Sequence, residues 1–385
     1  AGTITAIRMP VDVFPDLTAP TVTVLTEAHG MAPEEVETLV TFPIETAVNG
    51  ATGVRRVRSS TSQGISIVWV EFDWGTDIFR ARQIVNEKLQ LVATGLPGGV
   101  GAPVLAPISS IMGEIMLIAV TGSEEVSDMD VRSVADWTIR RRLLAVPGVA
   151  QVIPLGGRGK QYQVLVNPAR LAAFGVSLQD VLRAAEGSNV NASGGVFVQQ
   201  GQEYLIRGTG RVQNLDDIAQ TVVAVRQATP VTIGDVADVR IGAATRIGEG
   251  SANAERAVIL TVQKQPDTNT LELTERIDRE LSDIEASLPP GMEINRSIFR
   301  QADFIETAVD NVLEALRDGA ILVVVILFLF LWSARTTFIS VLAIPISLIA
   351  SVLALKLLNI TINTMTLGGM AIAIGALVDD AVIVV

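Results

Sequence analysis

The sequence predicts an α+β protein in which two βαββαβ modules, the second carrying an inserted subdomain, precede a bundle of apolar helices. Up to about residue 309 the chain is charged and mixed, and short strand-like runs alternate with amphipathic helical runs. From Asn311 onward charges nearly disappear and apolar runs dominate. The same order of elements also occurs twice in the mixed part. These observations indicate a water-exposed part followed by a membrane part.

The first module is predicted within residues 1–110. Its first strand alternates in polarity, and the next helix has Pro33 at its start, acids in its first turn and apolar residues at helical spacing. Two strands and a second helix follow, and a Leu-Pro-Gly-Gly run at 96–99 closes the pattern. The predicted elements are strand Thr21–Glu27, helix Ala32–Val48, strands Gly53–Arg58 and Ile65–Phe72, and helix Thr76–Val92.

The second module repeats this order from about residue 111. Gly-Val-Arg-Arg-Val at 53–57 matches Gly-Val-Ala-Gln-Val at 148–152, and both runs come directly after a predicted helix. A last strand and helix end in Leu-Pro-Pro-Gly at 288–291, like the end of the first module. The predicted elements are strand Ile115–Thr121, helix Met129–Leu144, strands Pro147–Val152 and Gln161–Val166, helix Ser177–Ala185, strand Ala257–Gln263 and helix Thr270–Leu288.

A segment rich in Gly, Asn and Gln, at about residues 186–250, separates the two parts of the second module. Strand-like pieces such as Val231–Val239 indicate an inserted subdomain rather than a linker. The predicted boundaries are 1–110 for the first module, 111–185 and 253–310 for the two parts of the second, 186–252 for the insertion and 311–385 for three apolar helices.

Three apolar segments end the sequence, at about Ala315–Trp332, Phe338–Leu358 and from Ile362 onward. Each approaches the roughly 20 residues that a helix needs to span a bilayer. The first link carries Arg335, so the positive-inside rule places it in the cytoplasm and the mixed part on the other side. The start of the sequence has no signal-peptide pattern, and Val385 lies inside an apolar run. We therefore expect a piece of a longer protein.

Asp379 and Asp380 stand side by side in the last apolar segment. A charged Asp at the middle of a membrane helix costs roughly 2.5–3.5 kcal/mol, and such acids usually face a wet cavity and carry protons or ions. Two neighbouring carboxylates cannot both ionise cheaply in a low dielectric, so protonation would remove buried charge and let helices shift. The pair predicts a transporter driven by an ion gradient; the alternative is a buried polar network that only packs helices.

Three stretches resemble the first half of a resistance–nodulation–division efflux pump. They are Met9–Leu17 (MPVDVFPDL), the run through 53–57, and Gly368–Val385 (GGMAIAIGALVDDAVIVV). The resemblance covers essentially the whole chain, and the membrane motif with its paired Asp is specific. It implies that the two modules are periplasmic porter subdomains, that the insertion belongs to a docking subdomain, and that the second, third and fourth helices of a transmembrane bundle follow.

The resemblance also implies roles and partners. Carried over by position, Asp379 and Asp380 form a proton relay that couples proton entry to export, with Asp379 essential and Asp380 supporting. The pump would be a homotrimer in the bilayer of the bacterial inner membrane, working with a periplasmic adaptor protein and an outer-membrane channel.

The expected substrate is a metal cation, because Met9–Leu17 and Ala102–Ser110 are most similar to the heavy-metal branch of the family, the copper/silver and cobalt–zinc–cadmium pumps. The paired Val-Asp-Asp-Ala is equally similar to the multidrug branch. A multidrug or lipid exporter is therefore one alternative. A membrane-anchored binding or sensor module without transport is another.

A few further residues are weaker candidates for a site. The lysine that pairs with such acids belongs to a later helix in these pumps, and Lys356 is predicted to reach the membrane interface instead. Met112 and Met116 are soft donors suited to Cu(I) or Ag(I), although core packing explains them equally well. His29, beside Gly30 at a strand end, is expected at the surface.

Composition and motifs exclude several other functions. The chain has no cysteine and one histidine, which excludes disulfides, thiolate metal sites and His-pair zinc sites within it. Residues 156–161 (GGRGKQ) lack the glycine spacing and the Ser or Thr of a P-loop. The Arg run at 140–142 is expected to be a solvated helix face. The net charge of −12 argues against a nucleic-acid partner. We therefore predict a secondary transporter without a cofactor and without enzyme activity.

Overall fold

The computed structural model of the chain describes residues 9, 19–108, 113–208, 210–226, 228–245, 248–266, 268–331, 334–358, 360–370 and 372–373. The chain divides into two compact units. The first unit comprises Ala1–Val120, Thr138–Pro154 and Ile259–Val385, and the second comprises Thr121–Trp137 and Leu155–Val258.

The first module has the predicted βαββαβ order. Its four strands form one sheet in the order β2-β3-β1-β4, and β3 pairs antiparallel with both β1 and β2. This is the strand order of a ferredoxin-like fold. The elements are β1 (Thr21–Glu27), α1 (Pro33–Val36), a π-helical turn (Glu37–Thr41), α2 (Phe42–Asn49), β2 (Val54–Ser62), β3 (Ile65–Phe72), α3 (Ile78–Ala93) and β4 (Val104–Leu105).

The core of this module follows from the two periodicities of its sequence. Alternate residues of β1 and β3 point into it, and helical residues three to four apart cover them. Fully burying a Val, Leu or Ile side chain contributes about 1.5–3 kcal/mol. The buried set includes Val22, Val24, Val36, Val40, Ile44, Val48, Val68, Val70, Phe72, Ala81, Val85 and Leu89.

The helix predicted as one element at Ala32–Val48 contains a π-helical turn at Glu37–Thr41. The N–H of Phe42 donates to the carbonyl of Glu37, five residues back. Pro43 follows and has no N–H to donate, so the regular hydrogen-bond ladder is interrupted here.

A buried carboxylate, that of Glu71 on β3, lies beneath three arginines of the edge strand β2. Arg56 donates through Nε at 3.1 Å, and Arg55 and Arg58 each lie 3.9 Å from the carboxylate. The hydrogen bond from Arg56 is the main cause that holds the pKa of Glu71 below its ordinary value, and the three positive charges add to it. Glu71 is therefore a structural anion of the first module.

Glu71→Gln is expected to lower stability at neutral pH by about 1–3 kcal/mol, because a charged hydrogen bond is lost. The depressed pKa of Glu71 stabilises the fold above the ordinary pKa of about 4.3, and this contribution is lost as pH falls through the folded-state value below it. Thermal unfolding at pH 7 and pH 3 checks this: the gap between wild type and variant should shrink at pH 3. Equal gaps at both pH values would contradict it.

The second module begins with a strand, a helix and a strand in the first module's order. Its helix also contains a π-helical turn, at the same place in the module as the first one. The elements are β5 (Glu114–Gly122), α4 (Asp128–Val134), the π-helical turn Ala135–Ile139, α5 (Arg140–Leu144) and β6 (Val149–Leu155).

The segment that follows forms most of the second compact unit. Its strands form two-stranded pairs, β7 with β12, β8 with β9, β10 with β11 and β13 with β14. Its elements are β7 (Lys160–Val166), α6 (Pro168–Phe174), α7 (Leu178–Gly187), β8 (Ala192–Gln199), β9 (Gln202–Gly208), α8 (Leu215–Ala219), β10 (Val222–Arg226), β11 (Thr229–Thr232), α9 (Ile233–Val236), β12 (Ala237–Ala243), β13 (Ser251–Ala252) and β14 (Glu255–Arg256).

Strand β7 is expected from the sequence to belong to the second module. It is a strand, but its partner is β12, with Lys160 opposite Ala243 and Val166 opposite Ala237. Small clusters of valine and isoleucine lie around this pair, including Val181, Val236 and Ile233. The inserted sheet therefore includes β7.

The second module is completed by β15 (Val258–Lys264), α10 (Thr270–Glu285) and β16 (Met292–Arg300). Its sheet order is β16-β5-β15-β6, which places its four strands in the same relative order as those of the first module. Asn269 caps α10 through bonds to the amides of residues 271 and 272. The buried face of α10 carries Leu273, Ile277, Leu281 and Ile284.

Two long helices follow, α11 (Gln301–Leu331) and α12 (Ala334–Leu357). Helix α11 begins well before the predicted apolar segment at residue 315, because the polar residues after β16 continue the helix. Helix α12 begins at Ala334, so most of the predicted link at 333–337 is helical. Within the residues described, no helix has both the length and the apolarity of a membrane span. The expected transmembrane bundle stays a prediction.

Candidate functional site

The predicted relay pair, Asp379 and Asp380, lies outside the described residues. The structure does describe the approach to it, where residues 364–370 and 372–373 are helical. This helical segment is the one that the sequence predicts to carry the pair. The contacts at the start of this segment are therefore the part of the candidate site that the structure describes.

Asn363 fixes the start of this helical segment. The side-chain oxygen of Asn363 accepts from the amide of Thr366 at 2.9 Å, and the hydroxyl of Thr366 accepts from the amide of Asn363 at 2.8 Å. This reciprocal pair satisfies two amides, as a capping box does. Asn363 is fully buried, so its hydrogen bonds are shielded from water.

Apolar side chains hold the same helix start against its neighbours. Ile362, Leu367 and Met370 form a buried cluster with Val352 of α12 and with Met9. Side chains of both long helices also pack against this cluster: Val309, Val312, Leu348 and Leu355. The segment that leads to the acid pair is therefore anchored on α11 and α12.

Asn363→Ala is expected to cost about 1 kcal/mol of stability, because the side-chain oxygen that accepts from the amide of Thr366 is lost at a buried helix start, although the amide of residue 363 can still donate to the Thr366 hydroxyl. Thermal unfolding of the detergent-solubilised protein measures the loss, and Thr366→Ser, which keeps the hydroxyl, is the matched control. An Asn363→Ala variant as stable as Thr366→Ser would contradict this role.

Lys356 lies in the last turn of α12, and its side chain is exposed. A lysine at this position is favourable next to the helix C-terminus. The interfacial role expected for Lys356 stays a prediction.

Of the candidate metal ligands, the structure describes Met116 and His29. Met116 is fully buried in β5, where it packs as a core residue, and Met112 lies outside the described residues. His29 is 81% exposed and lies 3.1 Å from a carboxylate oxygen of Glu27. In the described part of the chain, no three or more His, Cys, Asp or Glu residues are grouped as a metal site.

The arginine run at 140–142 differs from the solvated face expected of it. Arg140 donates to the carbonyl of Val152 at 2.9 Å, and Arg142 forms an ion pair with Glu280 of α10. These two arginines therefore hold α5 against β6 and α10. Their partners are distant in sequence, so the local charge pattern could not reveal them.

A second cluster without a sequence signal lies where β16 ends and α11 begins. Arg300 binds both carboxylate oxygens of Asp278, at 2.9 and 2.8 Å, and also Asp303 at 3.1 Å. The bond to Asp278 is the main reason that the pKa of Arg300 is raised above its ordinary value. Arg296 contacts the same helix, α10, through Glu285 and the carbonyl of Asp278.

The second compact unit contains a cavity of about 580 Å³. Asp128 at its wall pairs with Arg256 at 3.4 Å and with Arg158 at 4.0 Å. Ligand pockets commonly have about this volume. The lining comprises four glycines, four acids, four aliphatic residues, a serine and an arginine: Gly122, Gly157, Gly248, Gly250, Glu124, Asp128, Glu249, Glu255, Val126, Val131, Ala257, Val258, Ser123 and Arg256.

Comparison with known proteins identifies relatives along the whole chain. The family model described as AcrB/AcrD/AcrF family matches residues 1–385. "Protein HelA" of Legionella pneumophila is 38% identical over 384 residues, which cover 98% of this chain and 36% of that protein. "Cation efflux system protein CzcA" of Alcaligenes sp. (strain CT14) is 36% identical over 386 residues, covering 98% of this chain and 36% of that protein.

A solved structure is similar as well. The "X-ray crystal structure of a heavy metal efflux pump, crystal form II" matches with a TM-score of 0.86 and 27% sequence identity. The match covers 94% of this chain and 36% of that one. The chain thus spans about a third of the length of the proteins that it matches.

Proposed function

The chain belongs to the AcrB/AcrD/AcrF family, the resistance–nodulation–division permeases, and on this premise we propose that it is the N-terminal part of a proton-driven pump that exports heavy-metal cations. The observation that carries the proposal is the match over 94% of the chain to a heavy-metal efflux pump. A relative named as a cation efflux protein points to the same substrate class.

The proposed energy source is a proton gradient acting through Asp379 and Asp380. Paired acids in an apolar helix are costly, and acids at such positions usually carry protons or ions. The capped and packed start at Asn363 supports this role, because a relay needs its helix held in a defined place. Protonation of the pair would remove buried charge and bias the packing of the helices.

The membrane arrangement is part of the same proposal. Helices α11 and α12 and the segment beginning at Asn363 would lie in the bacterial inner membrane, with both modules on the periplasmic side. From the sequence we assign 1–110, 111–185 and 253–310 to porter subdomains and 186–252 to a docking subdomain. Because β7 pairs with β12, the docking subdomain would also include residues 160–166. The complete pump would be a homotrimer that binds a periplasmic adaptor protein and an outer-membrane channel.

The cavity of the second compact unit favours one alternative, an exporter of small organic compounds. Its volume of about 580 Å³ and its mixture of aliphatic and acidic walls fit a small organic cation better than a bare metal ion. The substrate test must therefore include drugs beside metals.

Growth of a metal-sensitive, pump-deleted bacterium carrying the full-length gene tests the proposal. The strain would be grown with Cu, Ag, Zn, Co, Cd and several drugs. Resistance to one or more metals is expected. Resistance to drugs alone would favour the alternative, and no resistance of either kind would overturn both.

A further inference from the structure

The second module and helix α11 are joined without a loop. Arg300 is the last residue of β16, and Gln301 is the first residue of α11. Strand β16 lies at the edge of the module's sheet, next to β5. A displacement of the start of α11 therefore acts directly on a strand of this sheet.

Arg300 binds two helices from this junction. Its two terminal nitrogens bind both carboxylate oxygens of Asp278 on α10, and its Nε binds Asp303 in the first turn of α11. The fork geometry fixes direction as well as distance. The side chains of Arg300 and Asp278 are only 21% and 26% exposed, so solvent screens the pair weakly.

Neighbouring contacts hold the same junction. Arg296, also on β16, donates to the carbonyl of Asp278 at 3.1 Å and to the hydroxyl of Ser282 at 3.2 Å. The rings of Phe299 and Phe304 lie 5.8 Å apart across the change from strand to helix. Two arginines of β16 thus bind successive turns of α10, and the strand continues directly into α11.

Apolar packing alone would not set the angle between these helices. The face of α10 with Ile277 and Leu281 buries against the module, and Ile305 of α11 is also fully buried. Such contacts are non-directional, whereas the bidentate pair permits few orientations. The charges therefore add a defined orientation to a contact that apolar burial already stabilises.

We propose that Arg300 is a positioning residue for the transport cycle, which holds α10 and α11 as one rigid body so that displacement of the apolar helices reaches the sheet of the second module. The inference rests on the proposed function: movement at the proton relay would act on the second module through α10 and α11. Asp278 is the partner that makes this body rigid.

Three variants of the full-length pump test the inference. Asp278→Asn removes the charge, Asp278→Glu keeps it, and Asp283→Asn makes the same change at an exposed position of the same helix. In Asp278→Asn, hydrogen exchange in the first turns of α11 is expected to quicken by about tenfold or more. The maximal export rate is expected to fall by about tenfold or more with KM for the metal unchanged.

The controls separate positioning from simple stability. Asp278→Glu is expected to keep at least half of the wild-type rate, and Asp283→Asn to match the wild type. This chain has no cysteine, so after replacement of any cysteines elsewhere in the pump, Asp278→Cys with Arg300→Cys can be joined by a short bis-maleimide. Joining the two positions is expected to restore export at least fivefold over the unjoined protein.

The outcomes distinguish this inference from the proposed function. Wild-type pump that exports no substrate overturns the proposed function, and with it the transport role of Arg300. Wild-type export together with equal export by Asp278→Asn overturns this inference alone. Loss of export that the cross-link does not restore also overturns it, because rigidity would then be insufficient.

Discussion

Asp379→Asn is expected to reduce metal export to the level of cells that lack the pump. Asn has nearly the shape of Asp but cannot take up and release a proton near neutral pH. Because the two side chains have nearly the same size and shape, the fold should be retained. Metal accumulation in cells, together with the amount of folded protein in their membranes, measures the two effects separately.

Asp380→Asn is the matched control at the neighbouring position. We expect a partial loss of export, because Asp380 is assigned a supporting role and Asp379 the essential one. Equal and complete losses would show that both acids are essential, which would remove the ranking but keep the relay. A fully active Asp379→Asn pump would show that the pair only packs helices.

Gly156→Ala is expected to destabilise the second compact unit by about 3 kcal/mol or more. Gly156 has a φ of +83°, where a side chain is strained. A Cβ there would lie 2.5 Å from the amide nitrogen of Gly250 and 2.8 Å from the carbonyl of Ala257, both backbone atoms. Because Gly250 and Ala257 line the cavity, its wall must shift as well.

Gly159→Ala provides the comparison. A Cβ at this position would meet only the side chain of Ala244, at 3.5 Å, which is an ordinary contact. We expect a change within about 0.5 kcal/mol. Thermal unfolding and protease resistance of the two variants give the difference, and similar stability of both would show that the turn at Gly156 tolerates a side chain.

Much of the fold could be predicted because its signals are local. The polarity of Thr21–Glu27 alternates without interruption, and β1 has the predicted bounds. The Gly-Val run repeated at 53–57 and 148–152 indicates two modules, and the two sheets have the same strand order. Asn269 marks a helix start because its side chain accepts from the first amides of the helix, and Pro33 marks one because proline has no N–H that would need a partner there.

The remaining features depend on partners far away in the chain. Strand β7 has a clear strand pattern, but no local signal shows that it pairs with β12, more than 70 positions later. The pairs Arg300–Asp278 and Arg142–Glu280 likewise join residues whose separation carries no motif. The π-helical turn before Pro43 follows from a known effect of proline, yet the sequence pattern alone favours a continuous helix.

The candidate site divides in the same way. A pair of acids in an apolar run is visible in any reading of the sequence, because the surrounding residues make it costly. The capping by Asn363 could have been found from the spacing of Asn363 and Thr366, which is that of a helix start. The cavity and its pairing of Asp128 with Arg256 required the folded chain.

Metal flux and proton flux, followed together in liposomes, decide whether a proton gradient drives export through Asp379. The purified full-length pump would be reconstituted with a metal-sensitive dye and a pH-sensitive dye, and an imposed pH gradient would start the reaction. We expect metal movement opposite to the proton gradient in the wild type and none with Asp379→Asn. Metal movement that is the same with and without a pH gradient, or unchanged in Asp379→Asn, would contradict proton coupling through this residue.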